Sequence, residues 1–335
     1  MAKQLNVGFV GCGGMTQNHL PGVKKDPDAK IVAFCDLNLE LAQKRVAENG
    51  GQAFKDAREM FDSVQLDAVF MNLPPFAHGA EFEAVKRGIP FFVEKPINLY
   101  LTQAKEIAAA VTEKKLITCA GYMNRYRKSV NKVRELVAVD PVIMLTGGWI
   151  GGSPKPKEGI GIWTWWVQKD KSGGQFLEQV THTVDLVRFL CGDAVEVHAF
   201  KAQGFNKGTP AAYSIEDASV VNIKFKGGAV ANLWGGCCAN AGGGGVSLNV
   251  YASNVTALFT GWEHSLKLFQ TGKPMEEIKE VSEIFPTEDA AFLKAVREND
   301  QGAVKSCYAD AVKTLAISVA ANMSMVSGRP EPVEA

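Results

Sequence analysis

The chain has 335 residues, 46% hydrophobic and 21% charged, enough for two domains with substantial cores. Thirty-six basic residues balance thirty-six acidic ones, which excludes the charge excess of a protein that binds nucleic acid or an anionic membrane. No run reaches the ~18 apolar residues of a membrane span, and the opening residues enter a strand without a secretory apolar region, so a cytoplasmic location is expected. The seven cysteines lie mostly in apolar runs without C-x-x-C spacing and read as small buried hydrophobes.

The apolar run Val7–Val10 enters the glycine-rich turn Gly11-Cys12-Gly13-Gly14-Met15-Thr16, and a helical pattern follows to about Lys25. Unpaired N–H groups at such a helix start, aided by the helix dipole, hold dinucleotide phosphates, and glycine lets the phosphate approach. Thr16 stands where the third glycine of G-x-G-x-x-G would be. The next strand pattern, Ile31–Cys35, ends in Asp36, a carboxylate placed to grip a ribose diol. Asp36 would repel a 2′-phosphate, and Leu37 to Glu40 offer no cation to balance one, so NAD is favoured. Lys44 and Arg45 on the following helix leave NADP open as the alternative.

Strand patterns at Asp67–Asn72, Phe91–Val93 and Leu116–Ala120 alternate with helical ones at Glu40–Glu48, Gly79–Arg87 and Thr102–Lys114. That alternation predicts an α/β fold, with a doubly wound parallel sheet over residues 1–122 and ligands at its carboxyl edge. There the sequence places the loop Leu73 to His78 and Glu94-Lys95-Pro96. Residues 123–335 read as a second, substrate-binding and oligomerisation domain, in which from about Val142 strand candidates succeed one another: 142–150, 195–202, 218–225, 230–233, 247–252, 256–259 and 266–269. One long helix, Gln175–Leu190, interrupts them, which predicts a largely antiparallel open sheet with helices on one face. Its uncovered face calls for a partner, and a homodimer or homotetramer is expected. The tail, Glu288–Arg297 and Ala303–Met325, reads as helical, with its end able to pack back on the first domain; Gly242–Gly245 reads as a hairpin loop.

The Gly11/Gly13 turn, Asp36, the Pro74 to His78 loop, Glu94-Lys95-Pro96, the Gly173 to Asp185 segment and the tail ending in Ser327-Gly328-Arg329 follow one another in an order that resembles the Gfo/Idh/MocA oxidoreductases. This is the family of glucose-fructose oxidoreductase and inositol dehydrogenase, and the likeness covers essentially the whole chain. It implies a Rossmann domain, a second α/β domain with an open sheet, reversible hydride transfer between nicotinamide and a sugar or polyol carbon, no metal, and assembly as dimers or tetramers. By resemblance the catalytic lysine falls on Lys95, the acid on Glu178 and the histidine on His182. Members usually carry aspartate at the place of Glu178, and many have glycine at that of Ser172. The implied cofactor contacts are Gly11, Gly13, Gly14, Met15, Asp36, Leu73, Pro74, His78, Glu94 and Lys95.

The chemistry has its own logic. Residues 178, 182 and 185 fall on one helical stripe, opposite an apolar stripe of Phe176, Val180, Val184 and Val187. His182 titrates near neutrality and suits a general base, while a lysine beside the nicotinamide would stabilise charge developing on the substrate oxygen. Which of the two takes the proton stays open; Glu178 would orient either or bind a second hydroxyl. A metal site of Glu178 and His182 with His78 or Asp185 has neither H-E-x-x-H nor a cysteine cluster behind it. His78 is equally a structural histidine, and Asp185 reads as structural. The aperiodic stretch between Trp149 and Ser172, with Trp163, Trp165 and Trp166 among lysines, reads as a lid over a sugar face or as core plugs. Tyr122, Asn124 and Arg125 are further substrate candidates. Two rivals accompany a sugar, polyol or inositol dehydrogenase: an NAD-assisted glycoside-cleaving enzyme working by oxidation and elimination, and a non-catalytic dinucleotide-binding regulator.

Overall fold

The computed structural model describes residues 3–156, 164–280 and 283–334. The chain divides into two units, Met1–Tyr126 with Glu283–Val312, and Arg127–Ser282 with Lys313–Ala335. In the first unit β1 (Leu5–Val10), α1 (Gly14–Lys25), β2 (Ala29–Cys35), α2 (Leu39–Asn49), β3 (Gln52–Phe54), α3 (Ala57–Ser63), β4 (Ala68–Met71), α4 (Ala80–Arg87), β5 (Phe91–Val93), α5 (Leu101–Lys114) and β6 (Thr118–Ala120) alternate. All strand pairings there are parallel, in the order β3-β2-β1-β4-β5-β6. This is the expected doubly wound sheet. The turn after Asn49 and the elements β3 and α3 escape periodicity because three- and seven-residue segments are too short to show one.

Register puts Phe34, Phe9, Phe70 and Phe92 side by side across four strands. Their rings stack at centroid separations of 5.4, 5.2 and 5.0 Å, each such contact worth about 0.5–1.5 kcal/mol beyond area burial. Two helices cover that row. His19 of α1 tilts against Phe92, and Phe292 of a helix from the tail meets Phe70 edge-on.

The second unit holds α6 (Lys128–Val137), β7 (Met144–Gly152), α7 (Lys169–Ser172), α8 (Gln175–Glu178), α9 (Thr181–Cys191), β8 (Ala194–Ala202), β9 (Ala218–Phe225), β10 (Val230–Ala239), β11 (Gly245–Tyr251), β12 (Val255–Thr260), β13 (Ser265–Gln270) and β14 (Glu276–Ile278). The tail forms α10 (Ile284–Glu298), which packs in the first unit, α11 (Tyr308–Ser327) and β15 (Glu331–Pro332). The described strands make a mostly antiparallel sheet ordered β14-β13-β12-β11-β7-β10-β9-β8-β15, with β7 and β10 parallel. The run Gly242–Gly245 is therefore no hairpin loop: β11 pairs with β7 and β12, so the connection from β10 passes over β7. The helix α6, absent from the strand-dominated reading, carries Val130, Val133 and Val137 into the core.

Nor is Gln175 to Cys191 one helix. After α8 the Val180 N–H reaches back five residues to Gln175, and the Thr183 N–H only three, to Val180. The apolar stripe survives this break, since Phe176, Val180, Val184 and Val187 all enter the core. The polar stripe loses its strict register between Glu178 and His182.

A tight approach between α1 and α10 gives a test. A Cβ on Gly22 would lie 2.0 Å from Asp289 Oδ2. Gly22→Ala gains about 1 kcal/mol in helix propensity but overpacks, at a cost of about 1–3 kcal/mol. The net cost of about 0–2 kcal/mol is expected to lower the melting midpoint by up to roughly 6 °C by calorimetry, and a raised midpoint contradicts the tight packing.

Candidate active site

Parallel pairing brings the carboxyl ends of β1, β2, β4, β5 and β6 to one edge, and with them Gly11, Asp36, Leu73–Pro74, Glu94–Lys95 and Tyr122. Gly11 is demanded by the chain itself: its φ is +85° and a Cβ would stand 2.5 Å from the Asn72 carbonyl. Gly13 and Gly14 differ, since a Cβ on either would meet nothing within 4 Å. Their bareness leaves the start of α1 open, with Gly13 offering no side-chain cap and no acid in the first turn. Met15 follows on that turn. Thr16 explains the missing third glycine: its hydroxyl donates to the Gly11 carbonyl and accepts from Asn72 Nδ2 at 2.9 Å, bracing the turn.

Asp36 is held by two backbone donors, Cys12 N–H to Oδ2 and Asn38 N–H to Oδ1, each at 2.8 Å. A carboxylate accepts about four hydrogen bonds, so capacity remains for a diol. Arg45 is not a cation for a 2′-phosphate. It is buried, Nε donating to the Cys12 carbonyl at 3.1 Å and Nη1 to Glu48 at 2.8 Å. An anion-binding helix start, a glycine cradle and a strand-end carboxylate fit a dinucleotide with a free ribose diol.

His78 is gripped at Nδ1 by Glu81 at 2.5 Å, and Glu81 also accepts the Gly79 N–H at 2.7 Å. Burial alone would raise the Glu81 carboxyl; the charge and hydrogen bond of His78, with the backbone donors, hold it below its ordinary range. The Lys95–Pro96 peptide is cis and Lys95 is half-buried. Tyr122, Asn124 and Arg125 are all buried. Arg125 donates to the Lys305 carbonyl and pairs with Asp310, both at 2.7 Å.

In the second unit Glu178 and His182 are both buried, 7% and 6% exposed. Trp166 Nε1 donates to Glu178 Oε2 at 2.7 Å, and the His182 ring meets Trp262 edge-on at 5.6 Å. Trp262 in turn packs on Trp149 at 5.5 Å. Trp166 sits in a small core with Val167, Ile215 and Cys237, and Trp165 packs at its margin. Trp163 lies outside the described residues. Trp262 went unnoticed in the sequence, although an aromatic in a polar strand-to-strand turn is a signal of its own. Asp185 accepts from the Thr314 hydroxyl, which accepts from Arg188 Nε, each at 3.0 Å.

The loop before these residues is a built object. Ser172 Oγ donates to the Gln168 carbonyl and accepts the Gly174 N–H, a hinge that glycine at this place could not make. Gly174, at φ +89°, packs under the ion pair of Lys169 with the buried Glu216. Lys169 is thereby occupied at 2.8 Å by Glu216 and at 2.9 Å by Asn322. No cluster of three or more metal-ligating side chains occurs among the described residues. Nor, among them, is any helix long and apolar enough to cross a membrane.

A parallel sheet in this strand order with a bare glycine turn defines a dinucleotide-binding domain. The family model described as oxidoreductase family, NAD-binding Rossmann fold, matches residues 5–122, and that of the GFO/IDH/MocA C-terminal domain matches residues 141–257. The chain belongs to the Gfo/Idh/MocA oxidoreductases, and its first domain is their NAD-binding Rossmann domain. It is 24% identical over 239 residues to an inositol 2-dehydrogenase of Rubrobacter xylanophilus, covering 69% of this chain and 65% of that one. It is 25% identical over 239 residues to the scyllo-inositol 2-dehydrogenase (NAD(+)) of Bacillus subtilis, covering 70% and 67%. The chain thus spans about two thirds of the length of these curated relatives. Among solved structures, levoglucosan dehydrogenase in complex with NADH superposes with a TM-score of 0.88 at 20% identity, covering 98% of this chain and 99% of that one.

The fixed carboxylate at the end of β2 gives a test of cofactor choice. Asp36→Ala removes hydrogen bonds to a charged acceptor worth about 1.5–3 kcal/mol, so the NAD Kd is expected to rise roughly 10- to 150-fold by titration calorimetry. Adding Leu37→Arg is expected to turn the preference to NADP; unchanged NAD affinity in Asp36→Ala would remove the carboxylate from the cofactor site.

Proposed function

We propose that the chain catalyses reversible, NAD-dependent oxidation of a secondary alcohol on a sugar, polyol or inositol. The observation that carries this reading is the position of Lys95: it follows β5 at the same sheet edge as the bare glycine turn and Asp36. The names of the relatives, two inositol dehydrogenases and levoglucosan dehydrogenase, support a ring with several hydroxyls. When bound, nicotinamide supplies the hydride acceptor. The Lys95 ammonium hydrogen-bonds the substrate oxygen and stabilises the negative charge that develops there as its proton leaves, before the hydride's departure turns C–O into C=O. His182 takes the hydroxyl proton at its imidazole. Glu178, held by the Trp166 indole, orients His182 or binds a second substrate hydroxyl. Tyr122 and Asn124 are proposed at the substrate end of the first unit. Lys95→Ala is expected to lower kcat/KM at least about a hundredfold on the best alcohol in a panel of inositols, aldoses, sugar acids and glycosides. Turnover that persists in this variant removes Lys95 from the chemistry, and aglycone release without net NADH assigns oxidation and elimination instead.

The open face of the second sheet supports self-association. Cross-strand neighbours Phe200 and Val220, 56% and 44% exposed, adjoin Trp234, with Val230 and Met144 also outward. A dimer or tetramer is expected by light scattering, and Val220→Glu is expected to yield monomer. A monomeric wild-type protein would refute this.

A further inference from the structure

One buried charged group has no place in the chemistry above. His19 of α1 is fully buried, walled by Phe70, Phe92 and Phe285. Its two ring nitrogens meet two carboxylates, Nδ1 with Asp289 Oδ1 of α10 at 2.7 Å and Nε2 with Glu94 Oε1 at 3.0 Å. The other oxygen of Glu94 accepts the backbone N–H of Lys95 at 3.0 Å. Two glycines make room for the acids: a Cβ on Gly22 would strike Asp289 Oδ2, and one on Gly121 would stand 2.8 Å from Glu94 Oε1. Three elements are thus shaped around one imidazole, and its chain of contacts ends on the main chain of Lys95.

We propose that His19 is a positioning residue for Lys95: clamped as an imidazolium between Asp289 and Glu94, it orients the Glu94 carboxylate that holds the Lys95 backbone. The inference rests on the role given to Lys95 above. With both nitrogens protonated, His19 donates to both acids, and Glu94 has only one orientation that serves His19 and the Lys95 N–H together. Burial by itself would lower the imidazole, but the charges and hydrogen bonds of Asp289 and Glu94 outweigh it and raise it from 6.5 to about 10. Those two acids are the charged groups that face it, one from α10 and one from the end of β5. A misplacement of about 1 Å can cost about a hundredfold in rate, so loss of the clamp is felt in turnover before binding.

His19→Gln keeps one neutral hydrogen bond and loses the charge; Asp289→Asn keeps the shape and is the milder second variant should the first fold poorly. For either, kcat is expected to fall about 10- to 100-fold, with the NAD Kd and substrate KM within about threefold of wild type. In a Lys95→Ala background the same change is expected to have no further effect, as two residues acting through one group are not additive. Equal losses in both backgrounds, or an unchanged kcat, overturn the proposal. Undiminished turnover in Lys95→Ala by itself shows that the function proposed for Lys95 failed, and the positioning role with it. The geometry is also read without turnover: acetic anhydride labelling of Lys95, mapped by peptide mass with NAD bound, is expected to change severalfold in the variants while other lysines keep their rates. An unaltered Lys95 rate refutes the link. Because the pKa of His19 is raised on folding, its contribution is complete below pH 6.5 and lost as pH climbs through about 10. The wild-type melting midpoint is expected to fall across that window and that of His19→Gln to fall less; parallel curves overturn the charged state.

Discussion

Parallel strand pairing in the first unit is the constraint on which the candidate site depends. Each strand there leaves the sheet at the same edge, so residues 11, 36, 73, 94 and 122, remote in sequence, become neighbours along one rim. The order β3-β2-β1-β4-β5-β6 reverses direction at β1 and β4, which opens a crevice above the glycine turn. Stacked phenylalanines across four strands tie together the strands that carry that rim.

Removing charged side chains from water offsets much of their mutual attraction, so stability is not their main contribution inside each unit. They instead fix loops. Arg45 ties the Cys12 carbonyl of the glycine turn, Asp36 ties the Cys12 N–H, and His19 with its two acids reaches the residue before Pro96. In the second unit Lys169 and Glu216 lock the turn at Gly174, from which α8 and α9 depart. Burial raises the cost of every unmatched charge, so each such pair tolerates few alternative arrangements.

The break between α8 and α9 shows where periodicity misleads. Apolar residues at helical spacing bury correctly on both sides of it, because a core accepts small shifts of register. Hydrogen-bonded polar groups do not. Glu178 answers to Trp166, and the His182 ring to Trp262, partners that no stripe drawn on a helical wheel contains.

What the amino-acid order determined alone was the α/β class with its change to an antiparallel sheet, the glycine turn after β1 and the carboxylate at the end of β2. These signals are local: a turn, a strand end or a run of alternating apolar residues is written within a few positions. Tertiary structure alone decided that Arg45 points inward, that Thr16 braces the turn, that Trp166 belongs to the core, and that His19 lies between Asp289 and Glu94. Those contacts join positions as far apart as 270 residues, and no spacing rule spans that distance. They follow from which faces of packed elements meet, a property of the assembled layers and of no single segment.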